Sequence, residues 1–210
     1  MNAPETPQVF LVDDDPSVLT ALNRLLSSAG FSTRTFLSPL EFLSVHDPSI
    51  PGCAVIDVGM DMMSGIVLQE RLMLGEQPRP IIFLTACHDV RVSVQAMKAG
   101  ALDYLSKPVS DHDLLESVQA AIELDRRARV TRDENDELRR RYRSLTSRER
   151  EVMAQIVRGR LNKQIAFDLG IVEKTAKVHR GRVMEKMRVR SVAGLVRIAE
   201  RLQLQRGGEN

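Results

Sequence analysis

Tryptophan is absent from this chain of 210 residues, aromatic residues make up 4% of it, and only two cysteines occur, Cys53 and Cys87. The missing tryptophan decides nothing, but the cysteines do. They show neither metal-ligand spacing nor a repeated pattern, which excludes a disulfide framework and a cysteine zinc site; both are expected to be buried structural thiols. The four histidines, His46, His88, His112 and His179, are scattered, without the close spacing of a metal pair on one helix, and none is read as a ligand. No apolar run reaches the roughly 18 residues of a membrane span. The first eight residues carry Pro4, Glu5 and Pro7 where a signal sequence would be basic and then apolar. The expectation is a cytoplasmic protein with no membrane partner.

What is present suits two small domains. The length exceeds a typical single domain of about 100 to 150 residues, and a hydrophobic content of 43% is ordinary for globular chains. A net charge of +2 hides an asymmetry: residues 1–118 hold 7 Lys and Arg against 15 Asp and Glu, a net of −8, while residues 119–210 hold 23 against 13, a net of +10. The acidic part suits a cation site and the basic part a polyanion.

In the acidic part, an apolar run (Val9 to Val12) leads directly into Asp13, Asp14 and Asp15, and a second (Cys53 to Ile56) ends in Asp57. If the two are neighbouring parallel strands, their carboxyl ends bring Asp13, Asp14 and Asp57 to one crevice, where open α/β sheets bind ligands. At about 4 Å and an effective dielectric of about 20, each pair of these charges repels by roughly 4 kcal/mol. Such a cluster calls for a cation, and oxygen-only ligands favour Mg2+ over zinc or copper. A third strand-like run, Ile81 to Leu84, ends in Thr85, and a fourth, Leu102 to Ser106, ends in Lys107 and Pro108. Metal, ammonium and hydroxyl together would hold the three oxygens of a phosphoryl group on Asp57, the positioning and charge neutralisation that such transfers require.

These residues, with Met60 and Met63-Ser64-Gly65 after Asp57, Thr85-Ala86, Ala96-Met97-Lys98-Ala99-Gly100-Ala101 and Tyr104-Leu105-Ser106-Lys107-Pro108, resemble the bacterial response-regulator receiver domain from Val9 to about Leu124. The resemblance implies a doubly wound, flavodoxin-like α/β fold around a five-stranded parallel sheet. It implies that Asp57 accepts phosphate from the phosphohistidine of a sensor histidine kinase. Asp13, Asp14, Asp57 and the backbone carbonyl of Gly59 would hold Mg2+, and Lys107 would contact the phosphoryl group. Thr85 and Tyr104 would form the switch pair, and the Lys107–Pro108 bond would be cis. Two positions depart from the family pattern: Gly59 stands where Arg or Asn is common, and Asp61 where Pro is usual. Asp61 adds a fourth carboxylate near the site and removes a rigid turn.

From Asp111 to about Arg143 there is neither Gly nor Pro. Leu114, Leu115, Val118, Ala121 and Ile122 form the packing face of a last receiver helix, which is expected to run on as a linker over 125–143. The acid-first pairs Glu123 with Arg127, Asp125 with Arg129, Asp136 with Arg140 and Glu137 with Arg141 support it at roughly 0.2 to 0.5 kcal/mol each. Leu124, Ala128, Thr131, Asn135, Leu138, Tyr142 and Leu145 make a heptad-like stripe that could pair two chains. Its polar middle favours a plain solvated helix.

A second domain, 144–210, opens at Thr146-Ser147-Arg148-Glu149, which has the form of a capping box before Val152, Met153, Ile156 and Val157. Gly159 suits the helix end. A short helix capped by Asn162, a turn at Gly170 and a helix from Glu173 to Met187 follow. The latter packs through Ala176, Val183 and Met187 and exposes Lys174, Lys177, His179, Arg180 and Arg182. A helix after Ser191 closes the region. Two helices joined by a glycine turn, the second basic, form a helix-turn-helix.

A basic face alone fits solvent as well as DNA, but the ordered motifs Leu145-Thr146-Ser147-Arg148-Glu149, Asn162-Lys163-Gln164-Ile165-Ala166, Leu169-Gly170-Ile171, Glu173-Lys174-Thr175, Lys177-Val178-His179-Arg180 and Val189-Arg190-Ser191 look like the LuxR-type DNA-binding domain of FixJ and NarL regulators. By that resemblance the helix from Glu173 enters the major groove. Lys177 and Val178 would face bases, with Lys163, Lys174, Thr175, His179 and Arg182 contributing contacts, mostly nearer the DNA backbone. Gly181 and Val172 depart from the pattern, Val172 where a capping Ser is frequent.

Together these readings make the chain a phosphorylation-controlled transcription regulator acting on promoter DNA, a homodimer when phosphorylated, and not an enzyme. The alternatives are a receiver-like regulator whose DNA binding is independent of phosphorylation, and a Mg2+-dependent phosphohydrolase built on the same carboxylates.

Overall fold

The structure, a computed structural model, describes residues 6–61, 63–75, 77–86 and 90–202. Strands β1 (Gln8–Val12), β2 (Ser32–Phe36), β3 (Gly52–Asp57), β4 (Ile81–Thr85) and β5 (Asp103–Ser106) form one parallel sheet in the order β2-β1-β3-β4-β5. Helices α1 (Pro16–Ser28), α2 (Pro39–Val45), α3 (Gly65–Met73), α4 (Val90–Lys98) and α5 (Asp111–Arg143) connect and follow them. Alternate strand residues serve opposite layers. Phe10, Val12, Ala54, Ile56, Ile81 and Phe83 pack with Phe42, Leu68, Leu72 and Ala96 of α2, α3 and α4. Val9, Leu11, Cys53, Val55, Ile82 and Leu84 pack with Leu19, Leu22 and Leu26 of α1 and Leu114, Val118 and Ala121 of α5. Burial on both faces explains why these three strands are unbroken apolar runs. Strand order reverses at β1 and β3, which opens the crevice at their carboxyl ends.

The Cys53 thiol is fully buried, and burial pushes its pKa up to about 12, as suits an inert structural cysteine. Cys87, His88 and Asp89 lie outside the described residues. Asp15 caps α1, accepting from the Ser17 N–H at 2.8 Å and its hydroxyl at 2.6 Å, with Pro16 in the first turn. No helix among the described residues is long and apolar enough to cross a membrane.

Two compact units divide the chain, Met1–Arg129 and Val130–Asn210, so the division falls inside α5 and inside the segment 125–143. In the first unit, buried Asp125 accepts from the Gly52 N–H at 2.8 Å and from Arg129 Nε at 2.7 Å. Arg129 in turn donates to the carbonyls of Pro48, Ser49 and Ile50. Beside them Arg79, only 2% exposed, donates to the carbonyls of Asp47 and Ile50 and lies 4.2 Å over the Phe10 ring. Burial lowers its pKa to about 10. The start of α5's extension is thereby tied to the loop that enters β3.

Elsewhere on α5, Glu123 meets Arg127 at 2.7 Å and Glu137 meets Arg141 at 2.9 Å, as the spacing predicts. The expected pair of Asp136 with Arg140 does not form. Asp136 meets Arg139 at 3.2 Å, and Arg140 turns to Glu137, whose longer side chain serves two arginines. Nor is the later helix a plain solvated one. Leu138 and Leu145 are buried and Tyr142 packs on the second core, while Arg201 reaches Asn135 at 2.6 Å and Glu134 at 2.7 Å. Half of the heptad-like stripe is thus consumed inside the second unit.

That unit sets α6 (Ser147–Val157), α7 (Asn162–Asp168), α8 (Glu173–Lys186) and α9 (Val192–Arg201) around Leu145, Val152, Met153, Ile156, Ile165, Ala176, Val183, Met187 and Leu195. The capping box forms: the Thr146 hydroxyl accepts from the Glu149 N–H at 3.2 Å and Glu149 Oε2 from the Thr146 N–H at 2.9 Å. Gly159, at φ +78, follows the α6 cap in the left-handed region that glycine tolerates. Asn162 does not cap α7. The cap residue is Leu161, whose N–H donates to Gln164 Oε1 at 2.9 Å, and Asn162 is already helical, accepting from Arg180 at 3.4 Å. Glu149 is buried and also receives Lys186 Nζ at 2.6 Å.

The Lys186 ammonium, followed by the Thr146 N–H, holds the Glu149 carboxyl below the ordinary value of 4.5. A lowered folded pKa adds stability that is complete above about 4.5 and lost as pH falls through the folded value. Glu149→Gln is therefore expected to cost about 1.5 kcal/mol at pH 7 and to flatten the acid-side fall in stability, measured by amide exchange in α6 and α8. An unchanged pH slope would show that the pair contributes nothing. Gly181 sits inside α8, and a Cβ added there would meet nothing within 4 Å, so Gly181→Ala should raise the unit's stability by up to about 1 kcal/mol, read in the same exchange experiment.

Candidate functional site

The register places Val12 opposite Ile56, so the next residues, Asp13 and Asp57, emerge side by side at the carboxyl ends of β1 and β3. Both are buried, at 2% and 8% exposure. Thr85 ends β4, buried, and its carbonyl receives the Lys107 N–H at 2.7 Å, which anchors the residue after β5. From there Lys107 Nζ reaches Asp13 Oδ2 and Asp57 Oδ1, each at 2.6 Å. Burial alone would lower the lysine pKa, but the hydrogen bonds it donates to Asp13 and Asp57 outweigh it and the value is raised. The ammonium is held charged between two carboxylates. The Lys107–Pro108 bond is cis.

Each carboxylate also accepts a backbone N–H. Asp13 Oδ1 takes that of Asp15 at 3.0 Å, Asp57 Oδ2 that of Gly59 at 2.6 Å, and Asp14 Oδ2 that of Asp61 at 3.2 Å. Asp14, Gly59 and Asp61 are exposed. Gly65 explains the glycine after Met63-Ser64: a Cβ there would stand 2.3 Å from the Asp57 carbonyl oxygen, so only glycine lets α3 start so close to Asp57. Tyr104 lies opposite Phe83 in the ladder, with ring centroids 6.1 Å apart. Its hydroxyl oxygen is buried without a hydrogen-bond partner among the described residues.

Among the described residues no three His, Cys, Asp or Glu side chains form a group ready to hold a metal ion. The donor chemistry still suits Mg2+. That ion is bound through one or two carboxylates and keeps several waters, so a closed protein cage is not required. Asp13, Asp14, Asp57 and the Gly59 carbonyl supply oxygen donors alone.

On α8 the expected DNA-contacting residues separate by angle. At about 100° per residue, Lys174, Lys177, Val178 and Arg182 lie away from the buried stripe of Ala176 and Val183, and all four are exposed. His179 and Arg180, exposed in the sequence reading, are half-buried, because they flank that stripe; Thr175 is half-buried as well. His179 Nδ1 is buried without a partner among the described residues. Lys163 is exposed in the first turn of α7. Two contacts that sequence reading missed hold this pair of helices: Arg148 donates to the Leu169 carbonyl at the end of α7, and Lys186 holds Glu149. Val172 caps α8 without a side-chain hydrogen bond.

Comparison with known proteins finds two families along the chain. Residues 9–119 match the family described as response regulator receiver domain, and residues 143–199 that described as bacterial regulatory proteins, luxR family. The chain is 43% identical over 196 residues to response regulator protein TodT of Pseudomonas putida, covering 93% of this chain and 86% of that one. It is 37% identical over 193 residues to transcriptional regulatory protein FixJ of Bradyrhizobium diazoefficiens, covering 92% and 94%. Among solved structures, response regulator StyR is similar with a TM-score of 0.85 at 45% identity, over 93% of this chain and 98% of that chain. Full-length FixJ from B. japonicum gives 0.56 at 35% identity, over 95% and 98%.

Proposed function

This chain belongs to the response regulators that join a receiver domain to a LuxR-family DNA-binding domain, and we propose which of its residues carry that activity. It is a phosphorylation-controlled, DNA-binding transcription regulator. In our reading Asp57 is the phosphoacceptor. Its carboxylate oxygen attacks the phosphorus of a phosphohistidine on a sensor histidine kinase, the P–N bond breaks, and the imidazole leaves with a proton. The observation that carries this reading is the Lys107 ammonium 2.6 Å from both Asp13 and Asp57, a cation poised where the charge of a phosphoryl group would arrive. When bound, Mg2+ on Asp13, Asp14, Asp57 and the Gly59 carbonyl would neutralise further phosphoryl charge. Thr85 and Tyr104 then report the change, the hydroxyl moving toward the phosphoryl group and the ring following.

We assign the receiver role to residues 1–124, the connector to 125–143 and the DNA-binding role to 144–210, with cytoplasmic location and dimerisation on phosphorylation as further parts of the proposal. In the DNA-binding part α8 reads the major groove of promoter DNA. Lys177 and Val178 face bases, and Lys163, Lys174, Thr175, His179 and Arg182 contribute further contacts.

Asp57→Asn is expected to abolish labelling by a small acyl phosphate, because only a carboxylate at that position forms the mixed anhydride; undiminished labelling of the variant would refute the assignment. Lys177→Ala should weaken specific DNA binding by roughly 1 to 3 kcal/mol and relax sequence preference. Lys163→Ala should instead lower binding to all sequences and reduce the salt dependence by about one ion. Binding isotherms at several salt concentrations on matched and scrambled sites separate the two, and full discrimination by Lys177→Ala would mean that α8 reads DNA through other residues.

A further inference from the structure

We propose that Asp61 is a positioning residue acting through its backbone: its N–H holds the Asp14 carboxylate and joins the two loops that carry the metal-binding oxygens. The proposal rests on the reading of Asp13, Asp14 and Asp57 as the phosphorylation site.

The acidic residues differ in where their backbone donors come from. Asp13 and Asp57 are each held from two residues further along the same loop, by the N–H groups of Asp15 and Gly59. Asp14 is held from across the crevice, by a residue 47 positions later in the chain, at 3.2 Å. Asp14 is exposed, follows β1 and faces solvent on one side, so its side chain has rotamer freedom to lose when an ion is bound. Fixing that side chain beforehand lowers the ordering cost of binding, the general basis of preorganisation.

The donor exists only because residue 61 is not proline. Proline has no N–H, and it is the residue usual at this position of the receiver pattern. Asp61 therefore changes two things at once in this chain. Its exposed carboxylate adds negative charge to the loop that carries Gly59, and its peptide nitrogen supplies a bond that the usual residue could not make. The second effect belongs to the backbone and would survive replacement by any residue other than proline.

Three variants of the full chain separate these effects. Asp61→Asn keeps the N–H and removes the charge; Asp61→Pro removes both; Asp14→Ala removes the acceptor. In a Mg2+ titration followed by amide chemical shifts, Asp61→Asn should bind several-fold more weakly than the native chain. Asp61→Pro should bind about three- to tenfold more weakly still, the range expected for one hydrogen bond. Combined with Asp14→Ala, the Asn and Pro variants should bind alike, because the difference between them acts through Asp14. Without metal, the Asp61 amide should exchange with solvent at least about tenfold more slowly than in Asp14→Ala, and Asp61→Asn should keep that protection. Equal Mg2+ affinities of the Asn and Pro variants, a Pro effect that persists without Asp14, or a fast-exchanging Asp61 amide would each overturn the tether. Acyl phosphate labelling at Asp57 is read alongside: labelled variants with no tether effect reject this inference alone, whereas a native chain that takes no label rejects the site itself.

Discussion

Two buried carboxylates at adjacent strand ends need a cation, and the rest of the first unit is arranged so that Lys107 supplies it. A parallel sheet whose strands are apolar on both faces delivers Asp13 and Asp57 to one edge with little water to screen them, and isolated buried charges are costly. The ammonium, 2.6 Å from each, offsets that cost. It can do so because the Lys107 N–H is fixed on the Thr85 carbonyl at the end of β4, and because Gly65 lets α3 close over the Asp57 backbone. Strand order, register and one glycine thus converge on a single ion triplet.

The chain uses the same device twice more, in a different manner. At the opposite ends of the strands, Asp125 is saturated by the Gly52 N–H and Arg129, whose remaining donors are taken by loop carbonyls. In the second unit Glu149 is held by Lys186 and the Thr146 N–H. Those acids are locked into loops and caps and serve packing. Asp13 and Asp57 instead share one lysine and lie beside the exposed carboxylate of Asp14 and the loop of Gly59 and Asp61.

Much of this is readable from the sequence where a residue type is costly in its place. Carboxylates ending apolar runs mark Asp13 and Asp57, and β1, β3 and β4 are visible because burial on both faces leaves uninterrupted apolar stretches. Strand β2, Ser-Thr-Arg-Thr-Phe, carries no such signal because it lies at the sheet edge, and only the family resemblance implies a fifth strand. The stripe through Leu138, Tyr142 and Leu145 announces a buried face without naming its partner, which is the chain's own second core. Asn162 and Gln164 are both polar residues of one motif, and spacing does not say that Gln164 is the one that reaches back to Leu161. His179 is open to better reading, since three residues beyond Ala176 and four before Val183 is the flank of a buried face. The Asp61 N–H has no sequence signal except the missing proline, because every other residue type carries the same donor.

If charge at Asp57 controls the basic half of the chain, genome-wide DNA capture by the full chain with and without beryllofluoride as a phosphoryl mimic, in the native protein and in Asp57→Asn, reads that control directly. The mimic is expected to strengthen capture at a defined set of sites for the native chain and to have no effect on the variant. Equal capture with and without the mimic would contradict it and identify a regulator whose DNA binding is independent of phosphorylation.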